Sequence, residues 1–332
     1  MTMPQENIPT ITGRRYVRLV LSVLSVVLIV NSTIYFSGAF TNLDSGVFLI
    51  RSKWNLVRDL DEPVEWIILG DSTANQSVVP DLISPKNDGS AINLGTVGNA
   101  LLIEDVWMLK DYIRSHGEPK NVVIVHVYDM WVRGADTTVF AHMPWDYMPD
   151  ANMFRSVGER IELLWYRYVP IFQSETQVIR AISNPSRMFS QPIPMGDDGY
   201  TSIASPNPSI VEQDIESHRT RILNTEFKIS EANLWAINEL VEMANSHDMN
   251  IFVANSPVHE DLVGLDNFSS YFANVRELLR DMDSRSPNIR YILQDLPTFD
   301  SGVMENADHL THDGAQTFTS QIIIDIEKVL GK

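Results

Sequence analysis

Three residues at one end of a short apolar run could carry nucleophilic chemistry: Gly70-Asp71-Ser72, directly after Trp66-Ile67-Ile68-Leu69. The run has the length and composition of a buried strand, and the segment that follows suits a helix. A serine in such a strand-to-helix turn can point its hydroxyl out of the carboxyl edge of a parallel sheet. The helix behind it lends N-terminal amides to an oxyanion. A serine hydroxyl reacts only when a base takes its proton. His309, far downstream in Asp308-His309-Leu310-Thr311-His312-Asp313-Gly314-Ala315, is the candidate base, because an imidazole titrates near working pH. The competing reading is that Ser72 only caps the following helix. His312 falls on the first turn of the final helix and reads as a surface residue.

The elements that must position these groups follow from the pattern of the chain. Apolar, β-rich runs fall at 66–69, 91–94, 121–127, 250–254 and 289–293, and amphipathic stretches at 99–115, 231–247, 267–283 and 314–330. This alternation predicts an α/β fold with a parallel sheet covered on both faces. Gly70, Gly95, Tyr128 and Ser256 each follow such a run, so they collect at one sheet edge, where ligands bind in open α/β sheets. Residues 133–227 break the pattern with prolines and aromatics such as Trp145, Tyr147, Trp165, Tyr166 and Tyr168. They read as a cap inserted after the third strand.

Gly70-Asp71-Ser72, the glycine in Ile92-Asn93-Leu94-Gly95-Thr96-Val97-Gly98, and His309-Leu310 before Gly314-Ala315 together resemble the SGNH (GDSL-type) hydrolase superfamily. The resemblance covers 64–130 and 230–330. It implies a three-layer, doubly wound parallel sheet of flavodoxin-like type, here preceded by one transmembrane helix. It also implies a membrane-anchored esterase or O-acyltransferase acting on acyl groups of cell-envelope glycans. The family's third block, Gly-x-Asn-Asp, is replaced by His126-Val127-Tyr128-Asp129, and the position three before the histidine, normally the triad acid, is Asn306. Asn306 can hold the imidazole without charge. Asp308 carries charge, but a residue adjacent in sequence seldom faces the same ring nitrogen. The oxyanion would be met by the amides of Ser72 and Gly95, with Asp71 in the same binding group. Asn99, Asn75 or Tyr128 would replace the missing side-chain donor. The weakened third block leaves a second reading open, a degenerate domain that binds or assembles glycan without turnover.

Residues 16–37 are the one long apolar stretch, uncharged from Leu19 to Phe36. They suit a single membrane-crossing helix. Arg14, Arg15 and Arg18 precede the uncharged run and Asp44 is the first charge after it, which puts residues 1–15 in the cytoplasm and the main domain outside. The stretch exceeds a signal-peptide core, so an uncleaved anchor is expected. Residues 38–63 read as a connector, with a helix around Val47–Asp59 that stands a domain at 64–332 off the membrane.

The formal charge is −18, which argues against nucleic acid as a partner. An acylated envelope polysaccharide, the membrane and an acyl-supplying membrane protein are the expected partners. The chain has no cysteine, so thiolate metal sites and cysteine nucleophiles are excluded. His259-Glu260 has no third ligand at zinc-like spacing; neither a metal nor a cofactor is expected.

Overall fold

The computed structural model describes residues 13–37, 41–84, 90–150, 154, 156–169, 179, 183–265 and 267–331. Its elements, in order, are α1 (Gly13–Ser37), α2 (Ser45–Arg58), β1 (Trp66–Gly70), α3 (Ser72–Ser77), α4 (Pro80–Ile83), β2 (Ala91–Asn93), α5 (Leu101–His116), β3 (Asn121–His126), α6 (Thr137–Phe140) and α7 (Val157–Tyr168). Then come α8 (Pro208–Asn224), α9 (Glu231–Ser246), β4 (Asn250–Asn255), β5 (Val258–His259), α10 (Glu260–Val263), α11 (Phe268–Arg285), β6 (Ile289–Tyr291), β7 (Thr298–Phe299) and α12 (His312–Leu330).

Five strands form one parallel sheet in the order β2-β1-β3-β4-β6. Alternate residues of each strand feed two apolar cores. Ile67, Leu69, Val122 and Ile124 face α2, α5, α9 and α11. Ile68, Val123, Val125 and Phe252 face α3 and α12. Both faces being covered explains why these strands are apolar without alternation. The strand order reverses between β1 and β3, which opens a crevice at their carboxyl ends. The turn bearing Ser72 leaves β1 at that crevice.

The helix α1 is apolar over Gly13–Thr33, a span of 21 residues that is long enough to cross a membrane. The following segment does not hold the domain at a distance. Phe48, Leu49, Ile50, Lys53, Trp54 and Val57 of α2 are buried, and Asp44 caps α2 by accepting from the amides of Gly46 and Val47. The fold therefore begins inside the stretch expected to be a linker, because α2 supplies an apolar face to the sheet.

The insertion after β3 packs in two places. Its first half lies against α5, with Phe140 on Trp107 and the Tyr147 hydroxyl donating to Asp111. Its second half meets α3 and the segment leading into α12. The Thr201 amide donates to the Asn75 carbonyl, the Asn207 amide to the Met304 carbonyl, and the His312 amide to the Ile203 carbonyl.

Candidate functional site

The turn at the end of β1 is fixed by its backbone. Gly70 has φ +134, and a Cβ there would overlap the Val125 carbonyl oxygen on the adjacent strand, so only glycine fits. Asp71 caps α3. Its Oδ1 accepts from the Thr73 amide at 2.9 Å and the Thr73 hydroxyl at 2.6 Å. Its Oδ2 accepts from the Val127 amide at 2.9 Å, which ties the turn to the end of β3. Asp71 is thus buried and committed to Thr73 and the Val127 amide, not presented to a ligand as the sequence suggested. Ser72 is the first residue of α3 and is partly exposed.

Behind Asp71 lies a charged group that sequence reasoning did not select. His126, the last residue of β3, sits between two carboxylates, with Nε2 2.5 Å from Asp105 and Nδ1 3.5 Å from Asp71. Burial lowers the imidazole pKa, but Asp105 and Asp71 outweigh this and carry it to about 9. Asp105 also accepts from the Gly70 amide at 3.1 Å. The signal in the sequence was a histidine ending an otherwise apolar strand, where an unpaired one would be costly.

His309 sits in a tight turn before α12. The Asn306 side-chain oxygen accepts from the amides of Asp308 and His309 at 3.0 and 2.8 Å and lies 2.9 Å from His309 Nδ1. Asp308 Oδ1 is nearer to that nitrogen, at 2.5 Å. The expectation that an adjacent residue would not face the ring is therefore corrected. The turn folded by Asn306 bends the chain until Asp308 reaches its neighbour's imidazole. Burial lowers the His309 pKa, and Asp308, with smaller help from Asp71 and Glu305, raises it to about 8 overall. The Asp71 contribution links His309 electrostatically to the Ser72 turn. The Asp308 carboxyl is raised by burial, but His309, His218 and Arg133 together hold it well below the usual carboxylate range.

Asp308 is held from behind by α8. Its Oδ2 is 3.6 Å from Nε2 of His218, a buried residue that the sequence did not flag. The Tyr128 hydroxyl donates to His218 Nδ1 at 2.6 Å. Tyr128 packs among Phe268, Tyr271 and His218, so the hydroxyl expected as an oxyanion donor is engaged by His218 instead. Asp214, His218 and Asp308 bring ligand atoms within 4.8 Å of one another, close enough to hold a metal ion. Each also has a protein partner: Asp308 contacts His309, Asp214 accepts from the Ala307 amide, and His218 takes the Tyr128 hydrogen bond. That set needs no ion to be satisfied. His259, considered in sequence beside Glu260, instead pairs with the Ser301 hydroxyl at 2.8 Å and caps α10.

The remaining predicted donors separate. The Gly95 amide donates to the Asn93 side chain at 2.9 Å, so it is not turned to an oxyanion. Gly95 is small for packing: a Cβ there would lie 2.6 Å from the Asn75 amide nitrogen and 2.8 Å from the Asp71 carbonyl oxygen. Asn75 accepts from the buried Lys53 ammonium at 2.8 Å and faces the core. Asn99 is exposed and borders a cavity of about 490 Å³ together with Val47, Val97, Arg133, His142 and Tyr166. Arg133 pairs with Asp129 at 2.6 Å, and Arg221 of α8 pairs with the other Asp129 oxygen at 2.9 Å. His312 Nδ1 pairs with the Tyr200 hydroxyl at 3.1 Å. A larger cavity of about 710 Å³, bordered by Glu65, Lys120 and Asn250, lies at the opposite, amino-terminal edge of the sheet.

No protein-family model matches the chain, and no curated protein matches it. Among solved structures, it is similar to one from Streptococcus pneumonia described provisionally as a platelet activating factor, with 11% sequence identity and a TM-score of 0.41. That similarity covers 84% of this chain and 91% of the other. At this level it assigns no activity.

Proposed function

We propose that the chain is a membrane-anchored serine esterase or O-acyltransferase of SGNH type, with a flavodoxin-like sheet, Ser72 as nucleophile, His309 as base and Asp308 as the acid of the triad. The observation that carries this reading is the 2.5 Å contact from Asp308 to His309 Nδ1. It fixes the tautomer and leaves Nε2 as the nitrogen that takes a proton. In the proposed reaction, Ser72 Oγ attacks the acyl carbonyl while His309 takes the hydroxyl proton. His309 returns that proton to the leaving alkoxide, which departs and leaves an acyl-serine. A second hydroxyl, from a sugar in transfer or from water in hydrolysis, then attacks the acyl carbon and gives its proton to His309; the acyl–Oγ bond breaks, His309 passes the proton to Ser72 Oγ, and the new ester or acid leaves. The Ser72 amide, at the first turn of α3, is the proposed oxyanion donor.

Arg14, Arg15 and Arg18 in the first turns of α1 support a cytoplasmic N-terminus with the domain outside. In that compartment the acceptor class is an envelope polysaccharide or similar glycan, and acyl groups would arrive through a membrane protein. The insertion at about 133–227 supplies the cap, since its α8 holds Asp308 through His218.

A second reading, glycan binding without turnover, is favoured by one observation: the Gly95 amide is already engaged by Asn93. One experiment separates the two. The full chain in detergent is treated with a fluorophosphonate probe. Labelling that is abolished in Ser72→Ala supports the enzyme. Equal labelling of both proteins removes Ser72 as nucleophile, and failure of the wild type to label or to turn over acyl esters supports the binding reading.

A further inference from the structure

The helix α7 carries an apolar stripe that is exposed on the surface of the described residues. Val157, Ile161, Leu164, Trp165 and Tyr168 all fall on one side at helical spacing and are exposed, Ile161 to 60%. The opposite side holds the buried Leu163 and the half-buried Tyr166. The stripe therefore points away from the protein.

Its position relative to α1 says what covers it. The Asn31 side chain donates to the Tyr168 carbonyl at 2.8 Å, and the Tyr35 and Tyr168 rings lie 5.9 Å apart. Asn31 falls within the last turn of the apolar span Gly13–Thr33. The end of α7 thus meets α1 where that span ends. A second apolar group, Phe189, is 82% exposed. The neighbouring Met188 carbonyl accepts from Asn42, shortly after α1.

Charge points the same way. The chain carries −18, yet α7 has two glutamates, Glu159 and Glu162, and two arginines, Arg160 and Arg167. This is a locally neutral surface on an acidic protein, suited to apolar insertion and not to electrostatic attraction. Tryptophan and tyrosine at its C-terminal end are the side chains that settle at a lipid–water interface.

We infer that α7 lies in the interface of the membrane crossed by α1, with its Val157–Tyr168 stripe in the lipid, as a second attachment that fixes how the domain sits on the bilayer. Tyr166 on the inner side of the helix borders the cavity shared with Asn99 and Arg133. That cavity is then separated from lipid by the thickness of one helix.

The chain has no cysteine, so single nitroxide labels can be placed cleanly. Ile161→Cys, Leu164→Cys, the control Glu216→Cys on α8 and the anchor control Val23→Cys would be labelled in the full chain. Each would be reconstituted in phosphatidylcholine nanodiscs, with thermal melts confirming the fold. Collision with oxygen and with a water-soluble nickel chelate would be compared at each site. Positions 161 and 164 are expected to favour oxygen, as position 23 does, while 216 favours nickel. The pattern should persist at high salt, because apolar burial drives it. An immersed position 23 with nickel-accessible 161 and 164 would overturn the inference and leave the anchor standing. Spin–spin broadening at 161 that grows with the number of chains per disc would overturn it in favour of a second copy.

Discussion

Asp308 Oδ1 lies 2.5 Å from Nδ1 of His309 although the two residues are neighbours in the chain. The Asn306 side chain makes this possible by accepting two successive amides and folding the turn. The charged partner of the candidate base is therefore Asp308, and Asn306 is the residue that shapes the loop around it.

Substituting the two should separate these roles. Asp308→Asn is expected to lower kcat/KM by at least about 100-fold, because an amide cannot stabilise imidazolium. Asn306→Ala should cost less in rate and more in thermal stability. Steady-state ester hydrolysis with melting curves checks both. A larger rate loss in Asn306→Ala would return the orienting role to that residue.

The pH profile follows from the same pair. His309 acts as base only when neutral, and its pKa is raised to about 8. Activity should therefore climb as pH rises through about 8. Asp308→Asn should move that limb toward the ordinary imidazole value. The stability linked to this imidazole has the opposite trend: it is complete below about 6.5 and is lost as pH rises through about 8.

His218 should behave as a positioning residue. His218→Ala leaves the Tyr128 hydroxyl buried without its partner, at a cost of about 1–3 kcal/mol, and removes the ring that faces Asp308 at 3.6 Å. Tyr128→Phe removes the stranded hydroxyl. The double variant is expected to be more stable than the sum of the single losses allows, which a thermodynamic cycle from denaturant curves would show. Strict additivity would mean that the 2.6 Å contact is energetically silent.

Glycine substitutions should rank by what a methyl group meets. Gly70→Ala combines a positive φ with overlap of the Val125 carbonyl oxygen, and should cost at least about 3 kcal/mol or prevent folding. Gly117 also has positive φ, +85, but open space around it. Its ψ of −173 puts it in a region essentially reserved for glycine, so Gly117→Ala should cost about 1–3 kcal/mol from conformation alone. Denaturant midpoints of the two variants compare steric overlap with conformation alone.

A buried lysine and glutamate give a further pH signature. Burial lowers Lys53 to about 7, and burial raises Glu104 to about 8 against the hydrogen bonds from Thr96 and Trp54. Glu104 thus favours the folded state while protonated, and its contribution falls between about 4.5 and 8. Lys53 opposes folding while charged, so stability recovers between about 7 and 10.5. Glu104→Gln keeps an acceptor for the Trp54 indole, and should melt like the parent near pH 5 while losing less stability by pH 8.

The sequence by itself determined the alternation of apolar runs and amphipathic stretches, and with it a parallel sheet covered on both faces. It also placed Gly70-Asp71-Ser72 and His309 at element ends and marked α1 as long and apolar enough to span a membrane. These follow from local periodicity and turn chemistry, which a single chain shows directly. Tertiary structure decided everything that depends on meeting a distant partner. It folded α2 into the core and placed His126 between Asp105 and Asp71. It engaged the Gly95 amide with Asn93 and the Tyr128 hydroxyl with His218, brought His218 from the insertion to Asp308, and turned Asp308 toward His309. A hydrogen bond needs its partner within about 3 Å in one direction. Residue type and spacing fix neither quantity once the two groups lie on different elements, or on a turn whose shape a third side chain sets.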